Sequence, residues 1–265
     1  MFLMSDGSVY ACGSGSQGAL GDGKKMNRYK PVRVKMPSGV LVSDICAGWM
    51  HSMAITSDGE CYVWGSGSYH QLGLGSEFDV PSPARLELGG ETVSHMSGGI
   101  FHSAAVTASG NVYVWGRASP QGNQLGVKGA KAFPHPHKIS LKNVQKVYCG
   151  LQHTLFLSKE GTVFSCGNNI DGALGVADMQ VQEEPVEVRG LQGRVLECSV
   201  GPSHNFAILE GGKLVFWGKG SDHQSGSEER STFYSPTLVS SASLLHVEKV
   251  STGFSHCLLM VRETD

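Results

Sequence analysis

The sequence predicts an all-β chain, a β-propeller of about five four-stranded blades of roughly 51 residues each. Two observations predict it: a set of residues that returns in phase along the chain, and a hairpin pattern inside each copy. His51, His102, His153, His204 and His256 recur at spacings of 51, 51, 51 and 52 residues. Each of the first four is followed eight positions later by a glycine (Gly59, Gly110, Gly161, Gly212). Six positions beyond each of these lies the glycine of a Trp-Gly-like pair: Trp64-Gly65, Trp115-Gly116, Cys166-Gly167 and Trp217-Gly218. The N-terminal residues join the same register through Gly7 and Cys12-Gly13.

A Leu-Gly pair follows in each copy, at Leu20-Gly21, Leu72-Gly73, Leu125-Gly126 and Leu174-Gly175, decaying to Ser225-Gly226 in the fifth. Ten residues after each of these glycines stands a proline: Pro31, Pro83, Pro136, Pro185 and Pro236. Residues 48–98 serve as the type copy. Ser52–Thr56 and Glu60–Trp64 are short β-prone runs joined by Ser57-Asp58-Gly59, and Asp-Gly predicts a type I′ hairpin turn. Ala84–Leu88 and Thr92–Met96 read as two further strands. Period-two alternation puts Tyr62 and Trp64 on one face, as it does Tyr113 and Trp115. One such repeat cannot bury its apolar faces alone, so neighbouring copies must cover them. The repeats are expected at 1–47, 48–98, 99–149, 150–200 and 201–252 of a single propeller domain over 1–265, with 253–265 opening a sixth.

Composition agrees. Thirty-six glycines in 265 residues are about twice the usual share, which suits many tight turns. A net charge of −2 excludes a globally basic nucleic-acid binder. Seven cysteines without a Cys-x-x-Cys pair, and no leader or long apolar run, predict a soluble cytoplasmic or nuclear protein with reduced thiols and no membrane span.

The combination Gly48-Trp49-Met50-His51-Ser52, then Asp58-Gly59-Glu60-Cys61-Tyr62-Val63-Trp64-Gly65, then Gln71-Leu72-Gly73-Leu74-Gly75, resembles the regulator of chromosome condensation family over essentially the whole chain. Kelch propellers have a similar period, but Gly98-Gly99 and Gly211-Gly212 occupy different phases of the repeat and are not one motif. Propellers of the resembled family normally have seven blades. The chain starts within a repeat, Met1–Met4 matching Met53–Thr56, and 253–260 match an opening strand. The expectation is therefore either a five-bladed ring or part of a seven-bladed array.

Residue patterns for chemistry are sparse. Gly13-Ser14-Gly15-Ser16-Gln17-Gly18 fits GxGxxG, yet Ala19–Gly23 starts no helix to aim at a pyrophosphate, so no nucleotide or other cofactor is expected. The five histidines, one per repeat, are too dispersed for one metal ion and are expected to hold backbone groups at the strand entry; no metal site is expected. His135-Pro136-His137 lacks a third ligand nearby. Cys12 and Cys166 stand at the tryptophan position, which predicts a packing role. No nucleophile–base constellation is present, and no enzymatic activity is expected.

Two candidate surfaces remain. Lys24, Lys25, Arg28, Lys30, Arg33 and Lys35 concentrate positive charge, either as a solvated loop or as a contact for phosphate or an acidic partner. The positions before each repeat histidine vary: Trp49-Met50, Ile100-Phe101, Leu151-Gln152, Pro202-Ser203, Phe254-Ser255. The family resemblance implies that this turn lies on one face of the disc and carries partner contacts, making Trp49, Met50, Phe101, Leu151, Gln152 and Phe254 the candidate partner-binding residues. The alternative is that these side chains fold inward and fill the channel. The turn Gly48-Trp49-Met50-His51-Ser52 also resembles the plant UV-B photoreceptor branch, whose turns repeat Trp-Arg-His. Here the tryptophan occurs once and the arginine never. The expected function is a non-enzymatic protein–protein interaction module. The resemblance supplies two alternatives: a guanine-nucleotide exchange factor for a small GTPase, and a chromatin-associated regulator resting only on residues 24–35. The repeat lengths are uniform, the largest change between Trp-Gly and Leu-Gly being two residues in Ala118–Gln124, and no insertion matching the wedge of the family's exchange factor is visible, which weighs against that alternative.

Overall fold

A computed structural model describes residues 1–262; the last three positions of the expected sixth repeat, 263–265, lie outside the described residues. The chain is all-β, and a single 3-10 turn at Ser240–Ala242 is the only helical segment among the described residues. It divides into two compact units, residues 1–118 with 130–143 and residues 119–129 with 144–265.

In the first unit, β1 (Phe2–Leu3), β2 (Val9–Gly13) and β3 (Arg28–Arg33) form a three-stranded antiparallel sheet. β4 (Val42–Ala47), β5 (His51–Thr56), β6 (Cys61–Gly65) and β7 (Val80–Leu86) form a four-stranded one. β8 (Val93–Gly98), β9 (His102–Thr107), β10 (Val112–Arg117) and β11 (Ala132–Lys138) form another. The second unit repeats the pattern. β12 (Val144–Cys149), β13 (His153–Ser158), β14 (Val163–Gly167) and β15 (Gln182–Glu187) make one sheet. β16 (Val195–Val200), β17 (His204–Leu209), β18 (Leu214–Lys219) and β19 (Thr232–Leu238) make the next. β20 (His246–Thr252) and β21 (Cys257–Arg262) form a two-stranded sheet.

The sheets are out of phase with the sequence repeat. The fourth strand read from the type copy is β8, and it pairs with β9 of the following copy rather than with β7. The four strands of a sheet thus come from two consecutive copies, which ties each copy covalently to its neighbour. The recurring prolines explain the outer position: Pro31, Pro83, Pro136, Pro185 and Pro236 sit in β3, β7, β11, β15 and β19, each at a sheet edge. Lacking an N–H, proline is tolerated there and not in a central strand.

Alternation works as expected. Ala54, Tyr62 and Trp64 pack on Val9 and Ala11 of the first sheet and on Leu20 of the loop between β2 and β3. Met53, Ile55, Cys61 and Val63 point the other way, onto Met96, Ala105, Tyr113 and Trp115. β5, β9, β13 and β17 are buried along their whole length, so polar side chains on them, such as Ser103, Thr154 and Asn205, need hydrogen-bond partners inside the protein. The turn differs from the expected type I′, which requires positive φ at both central residues. Gly59 is left-handed at φ 82° and Asp58 is not. Gly59 N–H donates to Thr56 O (3.0 Å) and Thr56 N–H to Glu60 O (3.0 Å), which makes a three-residue loop closed by a glycine bulge.

Candidate functional site

Each repeat histidine closes a tight Gly-x-x-His turn between the first two strands of its sheet. Gly48 N–H donates to His51 O at 2.9 Å, and Gly99, Gly150, Gly201 and Gly253 repeat the bond with their own histidines at 2.8–2.9 Å. The imidazole folds back over the glycine: a Cβ on Gly48 would lie 2.1 Å from His51 Cε1, and one on Gly150 would lie 2.1 Å from His153 Cε1. Only glycine leaves that space, so the motif follows from packing.

His51 and His153 reach side chains of the next copy rather than the backbone groups expected from the sequence. His51 Nε2 reaches Ser103 Oγ of the next copy at 2.8 Å, and His153 Nε2 reaches Asn205 Oδ1 at 2.7 Å. Those partners then donate into the loop bearing the Leu-Gly pair. Ser103 Oγ donates to Gln71 O (2.8 Å) and Asn205 Nδ2 to Ala173 O (2.8 Å). The tryptophan of the third strand donates to the same carbonyl: Trp115 Nε1 to Gln71 O (2.8 Å), Trp217 Nε1 to Ala173 O (3.1 Å), Trp64 Nε1 to Ala19 O (3.0 Å). Where Cys166 replaces tryptophan, its Sγ takes that place on Gln124 O at 3.6 Å, beside Thr154 Oγ1 at 2.7 Å. These recurring residues lock one copy to the next. Burial pushes His51, His153 and His204 down to about 4, so these imidazoles, including the two in the locks to Ser103 and Asn205, are neutral at physiological pH.

The two positions between glycine and histidine are free of that duty. In the first unit, the turns of Trp49 and Phe101 are brought together, Trp49 N–H donating to Gly99 O at 3.0 Å. Trp49 is 60% exposed, while Met50 and Phe101 are half-buried. Phe101 meets the Tyr69 ring edge-on at 4.7 Å, and the Arg117 guanidinium lies 5.6 Å over that ring while pairing with Glu77 at 3.1 Å. In the second unit, Leu151 N–H donates to Pro202 O at 3.0 Å. Leu151 and Gln152 line a cavity of about 210 Å³ with Gln121, Asn168, Ile170 and Pro202. Asn168 Nδ2 donates to Gln152 Oε1 at 3.0 Å and fixes that amide. Phe254 is exposed on its own turn. Tyr69, Gln121, Asn168 and Ile170 were missed in the sequence because they lie in the variable loop after the Trp-Gly pair, and Arg117 because it ends β10 just before that loop. Their pairing with the turns becomes visible only in three dimensions.

The basic stretch is partly neutralised. Arg28 makes two bonds to Asp22 Oδ2 (2.6 and 2.8 Å), and Lys25 pairs with Asp79 at 2.9 Å. Lys24, Lys30, Arg33 and Lys35 remain exposed. Cys12 departs from the expected packing role: it is exposed, whereas Cys166 is buried. Among the described residues no cluster of His, Cys, Asp or Glu could hold a metal ion, and no helix is long and apolar enough to cross a membrane.

Four sheets of four strands with locked Gly-x-x-His turns define an RCC1-type β-propeller. The RCC1-like domain family model matches residues 1–259, and the chain belongs to that family. It is 31% identical over 261 residues to human E3 ubiquitin-protein ligase HERC2, covering 96% of this chain and 5% of that protein. It is 31% identical over 244 residues to the ultraviolet-B receptor UVR8 of Arabidopsis thaliana, covering 90% of this chain and 55% of the receptor. The chain therefore spans about half or less of the length of these relatives. Human WBSCR16 superposes with a TM-score of 0.87 at 25% identity, over 98% of this chain and 69% of that one. Yeast RCC1 (Prp20), solved bound to Kap60, superposes with a TM-score of 0.84 at 20% identity, over 97% and 64%.

Proposed function

We propose that this chain is a non-enzymatic protein–protein interaction module that docks its partner on the turns preceding the repeat histidines. The observation that carries this reading is Trp49, a large apolar side chain held 60% exposed on a turn braced by Gly48 against the buried His51. Exposed aromatics on rigid supports are favoured anchors because little conformational freedom is lost on binding. Phe101, against Tyr69 and Arg117, extends the same surface in the first unit; Leu151, Gln152 and Phe254 supply turn positions in the second.

A photo-crosslinking amino acid at position 49, with one at Tyr29 as the control, identifies what contacts the turn. Affinity for the captured partner is then expected to fall at least about tenfold in Trp49→Ala and in Phe101→Ala. Unchanged affinity in both variants removes the reading. Faster nucleotide release from a small GTPase would replace it with an exchange factor. Salt-sensitive DNA binding lost on mutating Lys24, Lys30, Arg33 and Lys35 would replace it with a chromatin role.

A further inference from the structure

In both units a loop bearing a Leu-Gly pair lies against the Gly-x-x-His turn of the following sheet, and the two contacts are filled differently. In the first unit, Tyr69 of the loop meets Phe101 of the turn edge-on at 4.7 Å, and Arg117 lies 5.6 Å over the tyrosine ring. In phase with these three residues, the second unit has Asp171, Ser203 and Lys219. Asp171 and Tyr69 each stand four positions before the glycine of a Leu-Gly pair, and Ser203 and Phe101 each precede a repeat histidine. Two aromatic rings are thus replaced by two small polar side chains. The space they leave is the cavity of about 210 Å³, which both Asp171 and Ser203 line. A water needs only roughly 10–15 Å³ of such volume, so the cavity has room for a side chain.

The lining sets the character of that side chain. Leu151, Ile170 and Pro202 supply apolar walls. Asp171 and His153 are the ionisable groups of the lining, and His153, kept neutral by burial, adds no positive charge. The Asp171 carboxylate is half-buried and makes no ion pair or hydrogen bond among the described residues. Lys219 is exposed and forms no ion pair among them either. Gln121 Oε1 offers a second acceptor, because Gln152 Nε2 stands 3.5 Å away, too far for a strong bond. A carboxylate partly withdrawn from water with no cation beside it favours one that arrives. Arginine suits this lining: its stem packs along apolar walls, and its planar fork donates to a carboxylate and an amide oxygen together.

We propose, resting on the docking role assigned to the turns, that this cavity receives an arginine side chain of the partner protein. The guanidinium lies on Asp171 and Gln121, and the stem lies between Leu151, Ile170 and Pro202. The first unit has no such place, because Tyr69 and Phe101 occupy it with their own rings.

The test titrates the peptide N-acetyl-Gly-Arg-Gly-amide into the full chain, labelled with carbon-13 in its isoleucine and leucine methyl groups. The Ile170 signal is identified by its loss in Ile170→Val. The Ile170 and Leu151 methyl signals are expected to shift saturably, with a dissociation constant on the order of millimolar. The same peptide with citrulline in place of arginine keeps the shape and loses the charge, and should bind at least about tenfold more weakly. Asp171→Asn should weaken the arginine peptide by a similar factor, with an unchanged urea midpoint because the carboxylate makes no bond in the free chain. Ser203→Phe, which supplies the ring that Phe101 supplies in the first unit, should abolish the shifts while the circular dichroism spectrum is kept. Trp49→Ala should leave the titration as it is, so a failure of the docking reading at Trp49 and a failure here are separate results. No saturable shift at Ile170, equal binding of the citrulline peptide, or undiminished binding by Asp171→Asn overturns the proposal.

Discussion

Trp115 and Trp49 lie in the same unit and have opposite tasks. Trp115 is fully buried, with its indole N–H on Gln71 O at 2.8 Å; Trp49 is 60% exposed on a turn whose backbone is fixed by other residues. Trp115 recurs, as Trp64 and Trp217 in other copies, because every copy must be locked to the one before it. Trp49 does not recur, because nothing in the lock requires it. In a repeat protein, what returns in phase answers to packing with neighbours. What varies at a rigid, exposed place is free to answer to a partner.

The largest way to break this contrast is acid. His51, His153 and His204 are held at about 4 by burial, against about 6.5 for an exposed imidazole. The unfolded chain therefore binds protons in a window where the folded chain does not, and stability falls as pH drops from about 6.5 to about 4. Each fully buried histidine contributes on the order of 3 kcal/mol of that loss. Urea midpoints are expected to fall steeply across this window and to level off above pH 7. A red shift of the emission from Trp64, Trp115 and Trp217 should accompany unfolding. A flat profile from pH 7 to pH 4.5 would mean that the histidines are not neutral locks.

A more local break is Trp115→Ala. Deleting a fully buried indole costs about 3–5 kcal/mol, and it removes one of two donors on Gln71 O while Ser103 remains. Cys166→Ala, at the equivalent place in the second unit, deletes only a thiol and should cost about 1–2 kcal/mol. Chemical denaturation of the two variants measures the difference. Equal losses would show that the tryptophan position is no anchor of the lock.

How much of this was legible follows from the same contrast. The repeats, the hairpins and the alternation of Tyr62 and Trp64 were readable because each is enforced several times over. The role of His51 was not, since its partner Ser103 lies one copy away and serine is an unremarkable neighbour in sequence. The turn type failed because Asp-Gly also suits the glycine-bulge loop, where only Gly59 needs positive φ. The sheet phase was hidden because β8 is a good strand in either grouping; pairing with β9 instead of β7 is a tertiary choice. The basic stretch looked uniform in sequence, but Asp22 and Asp79 reach back to neutralise Arg28 and Lys25.

The smallest expected effect on stability is at Trp49. Its backbone is held by Gly48 N–H on His51 O and by its own N–H on Gly99 O, and neither bond involves the indole. With most of that side chain in water, Trp49→Ala removes little buried area, and the urea midpoint should move by less than about 0.5 kcal/mol equivalent. A buried plug would behave like Trp115, losing several kcal/mol on truncation. Side by side, the two alanine variants separate a residue that holds the fold from one that the fold holds out. A large stability loss at Trp49 would place it among the locking residues and remove the surface on which the interaction reading depends.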